Sequence, residues 1–312
     1  MTVRITNPTP LSQFKLEEPL TFQGNANGGI VTVKLFAEQY FLANVEVVNS
    51  TWQAFYTFNQ AGKRRIIAQG FDASDRLIDS DYLDLWLIDP NKSIFGIDVS
   101  NHNPSINWQA VKNAQVSFAF AKATEGKTFV DRSFSTNWSG MKDSGIIRGA
   151  YHFFRASKTA EEQVDNFLRV VDPVLESGDL PPVVDLEAWP KRTVGKEWAN
   201  TELTKRLSLA RTWLEKIEEA TAKKPIIYTS KSFWQEYMDD TKEFIDYPLW
   251  VANYTSRSSP SVPADNWGGN GYTFWQHTDR ATISGISGPV DRNRFNQSFQ
   301  ELIALTGTSV IV

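Results

Sequence analysis

Pro182-Val-Val-Asp185-Leu-Glu187 reads as a buried β-strand that ends in two acids. Carboxylates seldom end such an apolar run without a partner or a task, because desolvating a charge is costly. Side chains alternate along a strand, so Asp185 and Glu187 are expected on one face and Leu186 on the other. Two carboxyls on one face drive each other's protonation apart, leaving one acidic and its neighbour charged. Two further runs, Ile94-Phe-Gly-Ile-Asp98 and Pro289-Val-Asp291, end the same way. The four acids are candidate catalytic groups.

Around these runs the chain alternates strands with helical segments. Strands are expected at 94–98, 116–122, 147–153, 182–187, 225–229, 248–252, 272–276 and 289–291. A helix over about 158–172 follows from Val164, Phe167, Leu168 and Val171 at helical spacing, with Thr159 and Glu162 as a capping box. A second, over about 200–220, carries Leu207, Ala210, Leu214 and Ile217 on one face. The last three strands have short, Gly/Ser/Pro-rich connections instead. Strands alternating with helices call for a parallel sheet, and eight of them suggest a closed barrel with a helix-poor final third. In such barrels the chemistry collects at the carboxyl ends of the strands. Those ends read Asp98, Lys122 with Glu125, Tyr151 with His152, Asp185 with Glu187, Tyr228, Asn253 with Tyr254, Gln276 with His277, and Asp291. Aromatic faces beside carboxylates suit a sugar ring, which stacks through its C–H face and hydrogen-bonds through its hydroxyls.

The first ninety residues read differently. Val31, Val33 and Leu35 alternate with Thr32 and Lys34, and further short strands are expected near 19–24, 42–48, 51–58, 64–70 and 83–87. Turn chemistry sits at Gly24-Asn-Ala-Asn-Gly28-Gly29 and Asn59-Gln-Ala-Gly62. About seven short strands with turns between them is the pattern of an immunoglobulin-like sandwich. Asp72, Asp75, Asp79, Asp81 and Asp84 read as a solvated face, with a calcium site as the minor alternative. The expected division is an all-β domain over 1–89, a polar linker at 90–93 and a barrel over 94–312.

Composition narrows the function classes. The 312 residues are 41% hydrophobic and 22% charged, enough apolar material for two ordinary cores. A net charge of −4 argues against nucleic acid, which selects a basic face. The absence of cysteine excludes disulfides and thiol chemistry. The start at Met1-Thr-Val-Arg-Ile lacks a basic segment followed by an apolar one, so no signal peptide is expected, and no run approaches the roughly 18 apolar residues of a membrane span. His102, His152 and His277 lack tight metal spacing and are expected as hydrogen-bonding neighbours rather than ligands.

Phe95-Gly-Ile-Asp98-Val-Ser-Asn-His-Asn resembles the opening of the family 25 glycoside hydrolases, the Chalaropsis-type lysozymes or N-acetylmuramidases. The likeness continues through Phe118-Ala-Phe-Ala-Lys-Ala-Thr-Glu125-Gly, Gly149-Ala-Tyr-His-Phe-Phe154 and the Asp-x-Glu of 185–187. Leu249-Trp-Val-Ala-Asn-Tyr254, Phe274-Trp-Gln276 and Val290-Asp291 complete it, so it covers about 94–296 and none of the first domain. The resemblance implies an irregular (β/α)5β3 TIM-like barrel and cleavage of the β-1,4 bond between N-acetylmuramic acid and N-acetylglucosamine in peptidoglycan. It implies Glu187 as the general acid, with Asp185, Asp98 and Asp291 as further catalytic residues. Retention of configuration is implied too, either through a carboxylate nucleophile or through the substrate's own acetamido group oriented by Asp185. Tyr151, Phe153, Lys122, Tyr228, Asn253, Tyr254, Trp275 and Gln276 are the expected substrate contacts, with no cofactor or metal.

Plainer readings stand beside these. Asp98 is a strand-end cap on one of them, Asp185 and Glu187 form an ion-pair network with Lys122 or an arginine, and Asp291 pairs with Arg292 or Arg294. Tyr151, Trp275 and Tyr254 are then core aromatics. The competing functions are a chitinase-like hydrolase of N-acetylglucosamine polymers and a non-catalytic wall-binding or assembly protein. The expected partner is the peptidoglycan glycan strand, met by a monomeric barrel, with the first domain targeting the wall or docking to a phage-tail or injection-type assembly. Without a leader the expected route to the wall is release at lysis or delivery on a phage-like particle, or a leader lying outside this sequence.

Overall fold

The computed structural model describes residues 2–10, 12–60, 62–88, 94–103 and 105–307. They fall into two compact units, one within residues 1–92 and the other within 93–307. The linker expected at 90–93 lies outside the described residues. No helix among them is long and apolar enough to cross a membrane.

The first unit contains β1 (Thr2–Asn7), β2 (Gln13–Lys15), β3 (Pro19–Asn27), β4 (Thr32–Ala37), β5 (Tyr40–Glu46), β6 (Thr51–Thr57), β7 (Gly62–Phe71) and β8 (Leu77–Ile88). They form a three-stranded sheet, β1-β3-β6, and a five-stranded sheet, β2-β8-β7-β4-β5. Val3, Phe22 and Trp52 from the first sheet and Val33, Leu35, Ile66 and Leu85 from the second bury their alternate faces in one core. The turn expected at 24–29 begins later, because β3 continues to Asn27 and only Gly28 and Gly29 take positive φ. Gly24 is a packing glycine: a Cβ there would lie 1.9 Å from the Arg4 carbonyl and 2.4 Å from the Trp52 ring. The aspartates are not a bare solvated face either. Asp79 and Asp81 accept the Val3 and Ile5 backbone N–H groups, each at 2.9 Å, and so fasten β1, while Asp84 pairs with Lys63 and Arg65.

The second unit is built on β9 (Phe95–Val99), β10 (Phe118–Glu125), β11 (Phe129–Val130), β12 (Ile147–Phe153), β13 (Val183–Asp185), β14 (Ile226–Ser230), β15 (Leu249–Ala252), β16 (Phe274–Ala281) and β17 (Val290–Phe295). The sheet order is β11-β10-β12-β13-β14-β15-β16-β17-β9, and β9 also pairs with β10, so the sheet closes on itself. Around the closed sheet the neighbours from β9 through β10 and β12 to β16 are parallel, the two-residue β11 lies antiparallel on β10, and β17 runs antiparallel to both β16 and β9. Among the eight expected strands the parallel expectation therefore fails at the last one, whose connection from β16 is too short for a helical crossover.

Helices α1 (Trp108–Asn113), α2 (Phe134–Asp143), α3 (Ala160–Val171), α4 (Lys196–Ala199), α5 (Leu203–Thr221) and α6 (Lys231–Tyr237) fill the earlier connections. Thr159 caps α3 by accepting the Glu162 N–H and donating to the Glu162 carboxylate. On α5 the buried face is Leu209, Ala210, Trp213, Leu214 and Ile217, and Leu207 is only partly buried beside it.

Alternation divides the barrel strands between two cores. Ile97, Val99, Ala119, Ala121, Val184, Ile227 and Val251 join the core shared with the helices. Their alternates point inward, where Phe120 of β10 stacks on Trp250 of β15 at 4.4 Å and Phe118 meets Phe274 at 5.1 Å. Strands β10 and β15 are not neighbours, so that stacking crosses the interior and the aromatics plug the barrel. Gly96 makes room for the plug, since a Cβ there would come within 2.4 Å of the Phe118 carbonyl and 2.5 Å of its ring. Gly96→Ala is expected to lower stability by about 1–3 kcal/mol through overpacking, measured by urea denaturation.

Candidate active site

Above the plug, the next inward positions are polar. Asp98 lies near the end of β9 and Asp291 near the start of β17, and the two are cross-strand Cα partners. The expectation that Asp291 ends its strand is therefore reversed. The strand begins there, and its antiparallel course brings the first residues, not the last, to the end where β9 terminates. Asp185 is the last residue of β13, so the strand stops two residues short of Glu187. Leu186 still donates to Tyr228 O at 2.9 Å and accepts from Thr229 Oγ1 at 2.9 Å, which holds the segment along β14 and carries Glu187 past its end.

Asp98 is held by amides rather than by a cation. Its Oδ2 accepts from Gln276 Nε2 at 2.9 Å and from Asn293 Nδ2 at 2.8 Å. Asn293 Oδ1 accepts from Trp250 Nε1 at 2.7 Å, and Gln276 Oε1 accepts from the hydroxyls of Tyr228 and Tyr254, each at 2.8 Å. Each buried amide thus uses both ends, the condition under which a polar network in a low-dielectric interior stabilises rather than strains.

Burial dominates the electrostatics. It pushes Asp98 up to about 6, with the Asn293 and Gln276 hydrogen bonds pulling in the opposite direction. Asp185 is driven well above the carboxylate range by burial and then by Glu187, and its Oδ1 is buried with no hydrogen-bond partner among the described residues. Burial raises Glu187 to about 7; Lys122 opposes this, while Asp98 and Glu125 reinforce it. Asp291 rises to about 8 through burial and the nearby Asp98 and Asp279. Carboxyls raised as far as Glu187 and Asp291 hold protons near neutral pH and can donate them.

The structure brings most of the expected contacts to this cluster. Tyr151 lies on the inward face of β12, its ionisation suppressed by burial and by Asp98 and Asp185. Tyr228, Tyr254 and Gln276 belong to the amide relay. Lys122 Nζ is bound to Glu125 at 2.7 Å and lies 4.6 Å from the Phe153 ring centroid, so it forms no ion pair with Asp185 or Glu187. Two expected contacts lie elsewhere. Phe274 and Gln276 point inward, so Trp275 points outward into the helix-side core and donates to the Asn253 carbonyl at 2.8 Å. Asn253 Oδ1 in turn accepts the Ser261 N–H, a loop brace. Arg292 stacks over Phe95 and Arg294 over Trp275, so neither is the partner foreseen for Asp291. His152 is outside the barrel, between Thr124 and Gln163, and burial pushes it down to about 4. His277 departs from expectation, because its buried Nε2 has no partner among the described residues.

Sequence reading missed Asn293, Trp250, Phe129 and Trp189. Asn293 had no signal beyond an ordinary strand pattern, and Trp250 lay within the Leu249–Tyr254 run without a role of its own. Trp189, two residues past Glu187, is 68% exposed, and with half-exposed Tyr254 and Phe129 it sets aromatic faces just beyond three strand ends.

The model of glycosyl hydrolases family 25 matches residues 97–286. An uncharacterized protein, YegX, of Escherichia coli K12 is 42% identical over 217 residues, 68% of this chain and 73% of that one. Lysozyme M1 of Streptomyces globisporus is 36% identical over 221 residues, 69% of this chain and 71% of its own. The crystal structure of a bacterial lysozyme from Streptomyces coelicolor superposes with a TM-score of 0.64 at 35% identity, covering 69% of this chain and 98% of that chain.

The carboxyl cluster has a cost in stability that depends on pH. Asp291 rises from 3.8 to about 8 on folding, so its contribution is intact below about pH 4 and is lost as pH climbs through 8. Asp291→Asn is expected to unfold like the wild type near pH 3 and to be more stable by roughly 1–3 kcal/mol near pH 8, measured by denaturation across pH.

Proposed function

The chain belongs to glycosyl hydrolases family 25 and is a glycoside hydrolase, and on that premise we propose that it is a lysozyme, a 1,4-β-N-acetylmuramidase acting on peptidoglycan. The observation that carries this reading is the set of four inward-facing carboxyls with raised proton affinity at one end of an aromatic-plugged barrel. Glu187, partly open to solvent and protonated up to about pH 7, is the general acid for the leaving oxygen. Asp185, buried beside it with an unused Oδ1, is suited to orient and polarise the substrate's 2-acetamido group. That assignment favours a substrate-assisted, retaining route in which Glu187 acts first as acid and then as base. Asp98, fixed by two amide donors, supplies negative charge to the oxocarbenium-like transition state, and Asp291 tunes it as a cross-strand neighbour.

Trp189, Tyr254 and Phe129 offer exposed ring faces on which sugars of the strand can stack. In architectural terms the second unit is an irregular (β/α)5β3 TIM-like barrel and the first an immunoglobulin-like sandwich. The sandwich serves targeting to the wall or docking to a delivery particle rather than chemistry.

Purified cell walls test the reading. Wild type should lower their turbidity and leave muramic acid at the new reducing ends. Glu187→Gln should lose at least ~1000-fold in kcat, a size in keeping with the loss of a general acid acting with its electrostatic surroundings. Wild-type kcat should also fall as pH rises past about 7, when Glu187 gives up its proton. Turnover surviving in Glu187→Gln would remove it from the acid's role.

A further inference from the structure

Lys122 is an inward-facing residue of β10, the next one after Phe120, and its Cα partner is Tyr151 of β12. Its side chain is 11% exposed, a costly position for an ammonium. Three groups offset that cost. Glu125 Oε2 binds Nζ at 2.7 Å, the Phe153 ring lies 4.6 Å from it and the Phe129 ring 5.6 Å. Glu125 is itself held by Arg155 at 2.8 Å, and Arg155 forms a two-pronged pair with Glu197, which also accepts from Ser157. The charges alternate along this chain, from Lys122 through Glu125 and Arg155 to Glu197. Glu125, Phe153 and Asp185 are successive Cα partners across β10, β12 and β13, so the clamp is in the same layer as the acid pair.

We propose that Lys122, clamped by Glu125, is a positioning residue that sets the pH window in which one of Asp185 and Glu187 is ionised while the other keeps its proton. The inference rests on the reading of that pair as the acid and its partner. The groups facing the pair are Asp98 from β9, Lys122 and Glu125 from β10, Tyr151 from β12, Tyr228 from β14, Tyr254 after β15 and Asp291 from β17. Lys122 is the cation among those acting on Asp185 and Glu187, and it lowers both, whereas Asp98 and Glu125 raise both. Arg155 is neutralised by the two glutamates it binds. Without Lys122, burial and like charge would act unopposed and both carboxyls would hold protons to higher pH. Without Glu125, the lysine would strip the proton from Glu187 too early.

The pH profile of kcat on soluble glycan fragments tests this, because losing either half of a purely structural salt bridge would not move both limbs up in one variant and both down in the other. Lys122→Met should shift both limbs up by about one pH unit, and Glu125→Gln should shift both down by about half to one, the scale of a single charge at close range. Lys122→Arg, which keeps the charge, should leave both limbs within about 0.2 units of wild type. Unmoved limbs in Lys122→Met, or shifts of the same sign in Lys122→Met and Glu125→Gln, would overturn the proposal. Where Lys122→Met fails to fold by circular dichroism, Glu125→Gln and Lys122→Arg decide: a downward shift in the first with none in the second supports it, and any other pair of results overturns it. Failure of the lysozyme reading is separate, since it appears as wild type that leaves cell walls turbid or releases no muramic-acid reducing ends, and failure of the acid assignment as turnover surviving in Glu187→Gln.

Discussion

Desolvation of four carboxyls is the constraint on which the rest of the second unit depends. An isolated carboxylate in an apolar interior is so unfavourable that it takes up a proton instead, and that response is what a general acid needs at neutral pH. The aromatic plug of Phe118, Phe120, Trp250 and Phe274 keeps water from one side of the cluster. The amide relay through Gln276 and Asn293 then prevents Asp98 from being an unsatisfied buried group. Packing and chemistry therefore share residues: Trp250 is at once a plate of the plug and the donor that orients Asn293. The site is less stable than an apolar core of the same volume, as sites built for function commonly are.

Strand alternation allots these tasks. On β16, Gln276 enters the relay while Trp275 joins the helix-side core. On β12, Tyr151 faces the carboxyls while His152 is locked between Thr124 and Gln163 outside. A one-residue slip of either strand would exchange a site residue for a core residue, so the register that buries the outer aromatics also aims the inner polar groups. The same economy holds in the first unit, where Asp79 and Asp81 alternate along β8 and satisfy the N–H groups of β1.

Much of this was legible in the chain. The strand runs before Asp98, Asp185 and Tyr228, the helices around Phe167 and Leu214, and the acidic strand ends all follow from spacing and polarity. What was not legible depended on partners distant in sequence. Asn293 reads as an ordinary strand residue until Asp98, 195 positions earlier, accepts its hydrogen bond. Gly24 reads as a turn glycine until Trp52 packs over it. Strands β1 and β2 offer little to read, because β1 has only Val3 and Ile5 as apolar residues and is held partly by aspartate side chains 76 positions away, and β2 is three residues long. Trp275 and Gln276 are adjacent, and only the register decides which of them faces the site.

The antiparallel last strand carries the most consequence for the site. In a fully parallel barrel, β17 would present its final residues, ending at Phe295, beside the end of β9. Running the other way, it presents Val290 and Asp291 there instead, and sends Phe295 down to pack on Phe274 in the plug. One reversal thus delivers an acid to the mouth and an aromatic to the floor. It also explains why the final connection is short: an antiparallel neighbour needs only a hairpin-like link, whereas a parallel one needs a crossover of a dozen residues or more. The helix-poor final third is therefore the connection pattern that sets Asp291 opposite Asp98, where the Asp98 carboxyl adds to Asp291's hold on its proton.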